Sequence, residues 1–131
     1  MKRLFLILTV SVVLASCEIV IVEPYDVREE ITGIWDLHEY SETYRIETDF
    51  PVTIRKDYNS SNGIWIRNFY DVNIEIYAIY DGYHITIPLQ EENLFEVEGS
   101  GNFNGRELYL SYSVFDIYTR GPVDFCVAEG W

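Results

Sequence analysis

Apolar residues that fall on every second position can be buried together only as one face of a β-strand, and that alternation runs through most of this chain. Ile74, Ile76, Ala78 and Tyr80 alternate with Glu75, Tyr77 and Ile79, and Leu108, Leu110, Tyr112 and Val114 alternate with Tyr109, Ser111 and Ser113. Val52 and Ile54, Ile64 and Ile66, Ile85 and Ile87, Phe95 and Val97, and Val123, Phe125 and Val127 extend the pattern. Turn chemistry separates these runs: Asn59-Ser60-Ser61-Asn62-Gly63, Asp81-Gly82, Asn104-Gly105 and Gly121-Pro122. Asp-Gly and Asn-Gly supply the positive φ that two-residue hairpins need. The spacing predicts an all-β domain over residues 31–131 with about eight strands. Successive hairpins favour an up-and-down antiparallel barrel, because closure removes the edges that strands so rich in tyrosine and isoleucine would otherwise expose.

The first 30 residues follow a different logic. Lys2 and Arg3 are followed by the apolar run LFLILTVSVV, which ends in Leu14-Ala15-Ser16-Cys17. This is the layout of a secretory signal over residues 1–16. The run is too short for a spanning helix, which needs about 20 apolar residues. Ile19-Val20-Ile21-Val22 would lengthen it into an uncleaved anchor, but Glu18 interrupts. Residues 17–30 turn polar after that patch and contain Pro24, as a tether would.

LASC resembles the lipobox of bacterial lipoproteins, in which the cysteine is acylated and becomes the first residue of the mature protein. The resemblance implies lipid attachment at Cys17 and a membrane as partner. The alternative is an ordinary signal peptide whose Cys17 pairs with Cys126. Acyl chains stabilise attachment by about 0.8 kcal/mol per buried CH₂, and durable anchoring takes more than one chain. With Cys17 acylated, Cys126 is the lone thiol, expected as a small buried strand residue with Asp124 and Glu129 nearby and no activating cation.

Charge narrows the partners. Nine basic residues stand against 22 acidic ones, and without Lys2 and Arg3 the mature chain carries 7 minus 22, or −15. Such a surface repels nucleic acid and anionic headgroups. With 48% apolar and 16% aromatic residues, eleven of them tyrosine, the chain still has the makings of a core.

Thr32-Gly33-Ile34-Trp35 carries the Gly-x-Trp that opens lipocalins and related calycins. Together with Ile66-Arg67-Asn68-Phe69-Tyr70, Ile85 to Gln90, Val97 to Gly101 and Leu108 to Tyr112, it resembles small lipocalin-like lipoproteins of Gram-negative bacteria. That resemblance spans about residues 31–128. It implies an exported protein anchored at the outer membrane, periplasmic or surface-facing, with a lipocalin-like barrel, in a family without an established activity. Calycins typically pack an arginine near the last strand over this tryptophan. Residues 123–129 hold no basic residue, and Arg120 is the nearest substitute. In its own right, Trp35 suits the plug at one barrel end, its indole N–H finding a carbonyl.

Chemistry-bearing motifs are thin. His38 and His84 are 46 positions apart, far from the close spacing of metal-ligating histidines, unless the barrel brings them together. Gly99 to Gly105 lacks the spacing and following helix of a dinucleotide fingerprint and is expected as a turn or bulge. Asp57 to Gly63 lacks the glycine and glutamate positions of a calcium loop and is expected as a hairpin loop. No catalytic residue, metal site or cofactor is predicted. The expected function is binding of a small apolar ligand in or at the mouth of the barrel, with Trp35, Leu37, Ile54, Ile66, Ile76, Ile85, Ile87, Leu110 and Tyr112 as candidate lining. In the competing expectation those side chains fill the core, and outer tyrosines (Tyr77, Tyr109, Tyr118) bind another envelope protein.

Overall fold

A computed structural model describes residues 17–21 and 23–131; residues 1–16, where a signal peptide is expected from the sequence, lie outside the described residues. A 3-10 helix, Val27–Glu30, leads into eight strands: β1 (Gly33–Ser41), β2 (Ile46–Lys56), β3 (Gly63–Phe69), β4 (Ile74–Tyr80), β5 (His84–Glu92), β6 (Phe95–Phe103), β7 (Leu108–Asp116) and β8 (Asp124–Gly130). Each pairs antiparallel with the next, and β8 returns to β1 from Leu37↔Gly130 to Ser41↔Cys126, closing an up-and-down barrel. The all-β expectation holds, and so does the strand count.

The alternation sets which side chains point inward. Val52, Ile54, Ile64, Ile66, Ile74, Ile76, Ala78, Tyr80, Ile85, Ile87, Leu108, Leu110, Tyr112 and Val114 form one buried cluster. Each fully buried isoleucine or leucine contributes about 2 kcal/mol relative to exposure. The last strand is where the phase inverts. Val123, Phe125 and Val127 carry the apolar alternation, yet Phe125 and Val123 are exposed, and Asp124, Cys126, Ala128 and Gly130 point inward. Small residues are required there because β8 faces bulky neighbours: a Cβ on Gly130 would lie 2.6 Å from Leu37 Cδ2 and 3.4 Å from Leu108 Cβ. Cys126 is buried and Cys17 exposed, and the two are not bonded.

The glycine-rich segment is also corrected. Gly99, Ser100 and Gly101 lie inside β6, and only Asn104-Gly105 is a turn, with Gly105 at φ +92°. A Cβ on Gly101 would stand 2.1 Å from the Tyr109 carbonyl oxygen, so glycine lets β6 and β7 approach closely as the barrel coils. The irregularity falls opposite, in β5 between Ile87 and Gln90, at Pro88, which has no N–H to give a ladder. There the Gln90 amide replaces the missing rungs to β4: it accepts from Tyr77 N–H and donates to the Tyr77 carbonyl, both at 2.7 Å. The Asn93-Leu94 hairpin turn takes positive φ at both residues (47° and 68°) without glycine.

One end of the barrel is capped. Residues 27–30, grouped with the tether by sequence, form the 3-10 helix seated against the β2–β3 loop. Arg28 is 7% exposed and donates from Nη1 to the carbonyls of Asp57 (2.8 Å), Ser60 (2.9 Å) and Gly63 (2.8 Å), while Nε and Nη2 hold Asp26. Trp35 lies at this same end, its Nε1 donating to the Ile31 carbonyl at 2.8 Å and its ring edge-on to Phe103 at 5.3 Å. Arg120 is exposed in the β7–β8 loop at the opposite end.

Candidate functional site

The uncapped end, the mouth, is bounded by the β1–β2, β3–β4, β5–β6 and β7–β8 connections, and its chemistry follows from the phase of β1. Trp35, Leu37, Glu39 and Ser41 share the inward face, so the apolar face ends in an acid and a hydroxyl. The β8 register sets Cys126 opposite both Ser41 and Tyr112, and Asp124 two residues closer to the rim. The β3–β4 turn adds Tyr70 at positive φ (56°).

These groups bond to each other. Tyr112 Oη donates to Glu39, and Ser41 Oγ and Tyr70 Oη donate to the two oxygens of Asp124. Tyr44 N–H donates to Ser41 Oγ at 3.0 Å. Glu39 and Asp124 are 5% and 3% exposed, and among the described residues no basic side chain pairs with either. Burial first, then the negative charges of Asp124 and Asp71, push the Glu39 carboxyl up to about 7. Burial raises the Tyr70 phenol, reinforced by its bond to Asp124, and burial with the two acids raises the Cys126 thiol, so neither ionises near neutral pH.

Above the buried acids lies a cavity of about 230 Å³ lined by Glu39, Ser41, Tyr44, Ile46, Thr48, Tyr70, Asp71 and Asp124. A smaller recess of about 90 Å³ adjoins it, shares Tyr44, Tyr70 and Asp124, and runs under the β7–β8 loop. At about 30 Å³ per water, the larger space suits a small molecule, below the usual span of about 300 to 1,000 Å³ for drug-sized ligands. It offers three acceptor carboxylates, of which Glu39 is able to carry a proton near neutrality, and aromatic and aliphatic walls.

None of the residues expected as lining borders this cavity directly, although Tyr112 joins its network through Glu39. Leu37, Ile54, Ile66, Ile76, Ile85, Ile87 and Leu110 are at most 1% exposed and pack together along the barrel axis. Trp35 and Tyr112 sit at opposite ends: Tyr112 is level with Ser41, six positions or about 20 Å of strand from Trp35, and packs at a tilt of 52° against Phe69, centroids 4.5 Å apart. His38 and His84 are not brought together. They lie on β1 and β5, His38 facing Asp49 (2.6 Å) and His84 facing Asp81 (3.3 Å). The outer tyrosines do not form one patch: Tyr77 packs edge-on against Trp65, Tyr109 is on β7, and Tyr118 is in the β7–β8 loop.

Glu39, Asp124 and Tyr70 were missed as site residues. The available signal was phase: a charge where alternation demands an apolar residue, as at Glu39 after Trp35 and Leu37. For Asp124 the signal was masked by the bulkier Val123 and Phe125 beside it.

The fold is thus a closed eight-stranded, up-and-down antiparallel barrel with a polar mouth. No protein-family model matches the chain and no curated protein matches it. Among solved structures it is similar to that of EF1p2_mFAP2b bound to DFHBI, with a TM-score of 0.55 and 9% identity, covering 80% of this chain and 95% of that one. At that identity the likeness is one of fold.

Proposed function

We propose that this protein is a lipocalin-like lipoprotein, acylated at Cys17 and held at the outer membrane of a Gram-negative envelope, whose barrel binds a small ligand at its mouth. The observation that carries the binding role is the mouth cavity, where a filled apolar core gives way to buried, uncompensated acids beneath Tyr44, Ile46 and Tyr70. An apolar body against those three side chains, with a donor-bearing group turned to Glu39 and Asp124, satisfies both surfaces. The neighbouring structure bound to DFHBI supports a small ligand on a barrel of this shape. The lipobox-like LASC and the exposed Cys17 support the anchor.

Two measurements test this. Cys17→Ser should release the protein from membranes and abolish fatty-acid labelling; persistent attachment without label would mean a spanning anchor. A thermal-shift screen of small aromatic and aliphatic amines should yield compounds that raise Tm for the native protein and for His38→Ala but not for Asp124→Asn. Stabilisation by mass action reaches about 2.7 kcal/mol at a hundredfold excess over Kd. Hits lost in His38→Ala and kept in Asp124→Asn would move the site to the outer cleft of about 430 Å³ between β1 and β2 that holds His38 and Trp131.

A further inference from the structure

The tether and the mouth are at opposite ends of the barrel. Asp26 and the 3-10 helix are locked to the capped end by Arg28, which reaches the β2–β3 connection, and by the Lys56 pair with Glu29. The mouth cavity lies at the other end, between the last residues of β1, the first of β2 and β8, and the β3–β4 turn. We propose that the mouth faces away from the anchoring membrane, so that its ligand is a water-borne small molecule and not a lipid taken from that bilayer. This rests on acylation at Cys17.

Length decides it. Cys17 and Tyr25 are eight residues apart, a span of about 27 Å at full extension and about 16 Å root-mean-square for a flexible segment. Strands of nine residues tilted as in a barrel make it about 20 Å tall before the mouth loops are added. To set the mouth on the bilayer, the tether would have to run the full height of the barrel, beyond its mean reach and close to its limit. With the capped end down, the same tether is relaxed. The net charge of −15 in the mature chain adds no attraction that would pull the acidic mouth towards anionic headgroups.

The test uses the full lipidated protein in phosphatidylethanolamine vesicles carrying a trace of headgroup-labelled acceptor lipid. A donor fluorophore is placed at Tyr58→Cys in the β2–β3 loop of the capped end, or at Tyr118→Cys in the β7–β8 loop at the mouth; the native tyrosines are 88% and 82% exposed. Buried Cys126, with its thiol pushed well up by burial, stays unlabelled. With donors separated by the height of the barrel, energy transfer to lipid should be about twofold greater from position 58 than from position 118. Arg106→Cys, in the β6–β7 loop at the capped end, repeats the measurement should Tyr58→Cys fold poorly. Equal or reversed transfer from protein that floats with the vesicles overturns the orientation alone. Protein that lacks acyl mass and does not float overturns the anchor, and the orientation with it.

Discussion

Glu39→Gln isolates the energetic cost of the mouth. The carboxyl is pushed from its ordinary 4.5 up to about 7 by burial and by Asp124 and Asp71. Below pH 4.5 both folded and unfolded chains hold the proton, and Glu39 adds no pH dependence. Between 4.5 and 7 the unfolded chain releases the proton while the folded chain keeps it, so folding takes up protons and stability falls as pH rises. Above 7 the full cost is present, about 3 kcal/mol for an interval of this size. Glutamine keeps the shape and an oxygen for Tyr112 to donate to, but carries no charge. Urea unfolding of both proteins from pH 4 to 8 should give similar stabilities at pH 4 and curves that diverge above pH 5. By pH 8 Glu39→Gln should be more stable by about 3 kcal/mol. Parallel curves would refute the reasoning, because they would mean that Glu39 ionises as readily in the folded chain as in the unfolded one.

Other consequences follow from single contacts. Arg28→Met should cost about 3 kcal/mol by stranding the carbonyls of Asp57, Ser60 and Gly63 and the carboxylate of Asp26, and hydrogen exchange should show lost protection in residues 57–63 with the mouth unaffected. Gly101→Ala should cost about 1 to 3 kcal/mol, seen as a lower Tm, because its Cβ would meet the Tyr109 carbonyl. Gln90→Leu removes both amide rungs to Tyr77 and should destabilise by about 2 kcal/mol, with faster exchange of the Tyr77 amide proton.

The fold was legible because period two and turn chemistry agree: every predicted run became a strand, and Asp81-Gly82 and Asn104-Gly105 became turns. Period two does not say which face is inside. On β8 the bulky residues suggested Val123 and Phe125, but Cys126, Ala128 and Gly130 face inward, and at position 130 Leu37 leaves no room for a Cβ. Pro88 was a readable mark of the β5 bulge, since proline cannot donate to a ladder. The site was less legible. Trp35 was placed correctly as an end plug, yet the isoleucines grouped with it are filling, and the polar mouth arises from Glu39, Tyr70 and Asp124, which lie 31 and 54 positions apart along the chain. Only closure of β8 onto β1 brings them together. Arg28 likewise sits in a polar stretch that gives no local sign of burial.

The central claim, that binding occurs at the mouth over a filled core, is tested most directly by nuclear magnetic resonance on ¹⁵N-labelled residues 17–131 carrying Cys17→Ser. Titration with an amine from the thermal screen should shift the amides of Glu39, Ser41, Tyr44, Tyr70 and Asp124 and leave Ile54, Ile66 and Ile76 in place. Shifts concentrated on those isoleucines would mean that the core opens to hold the ligand, and the mouth account would be wrong.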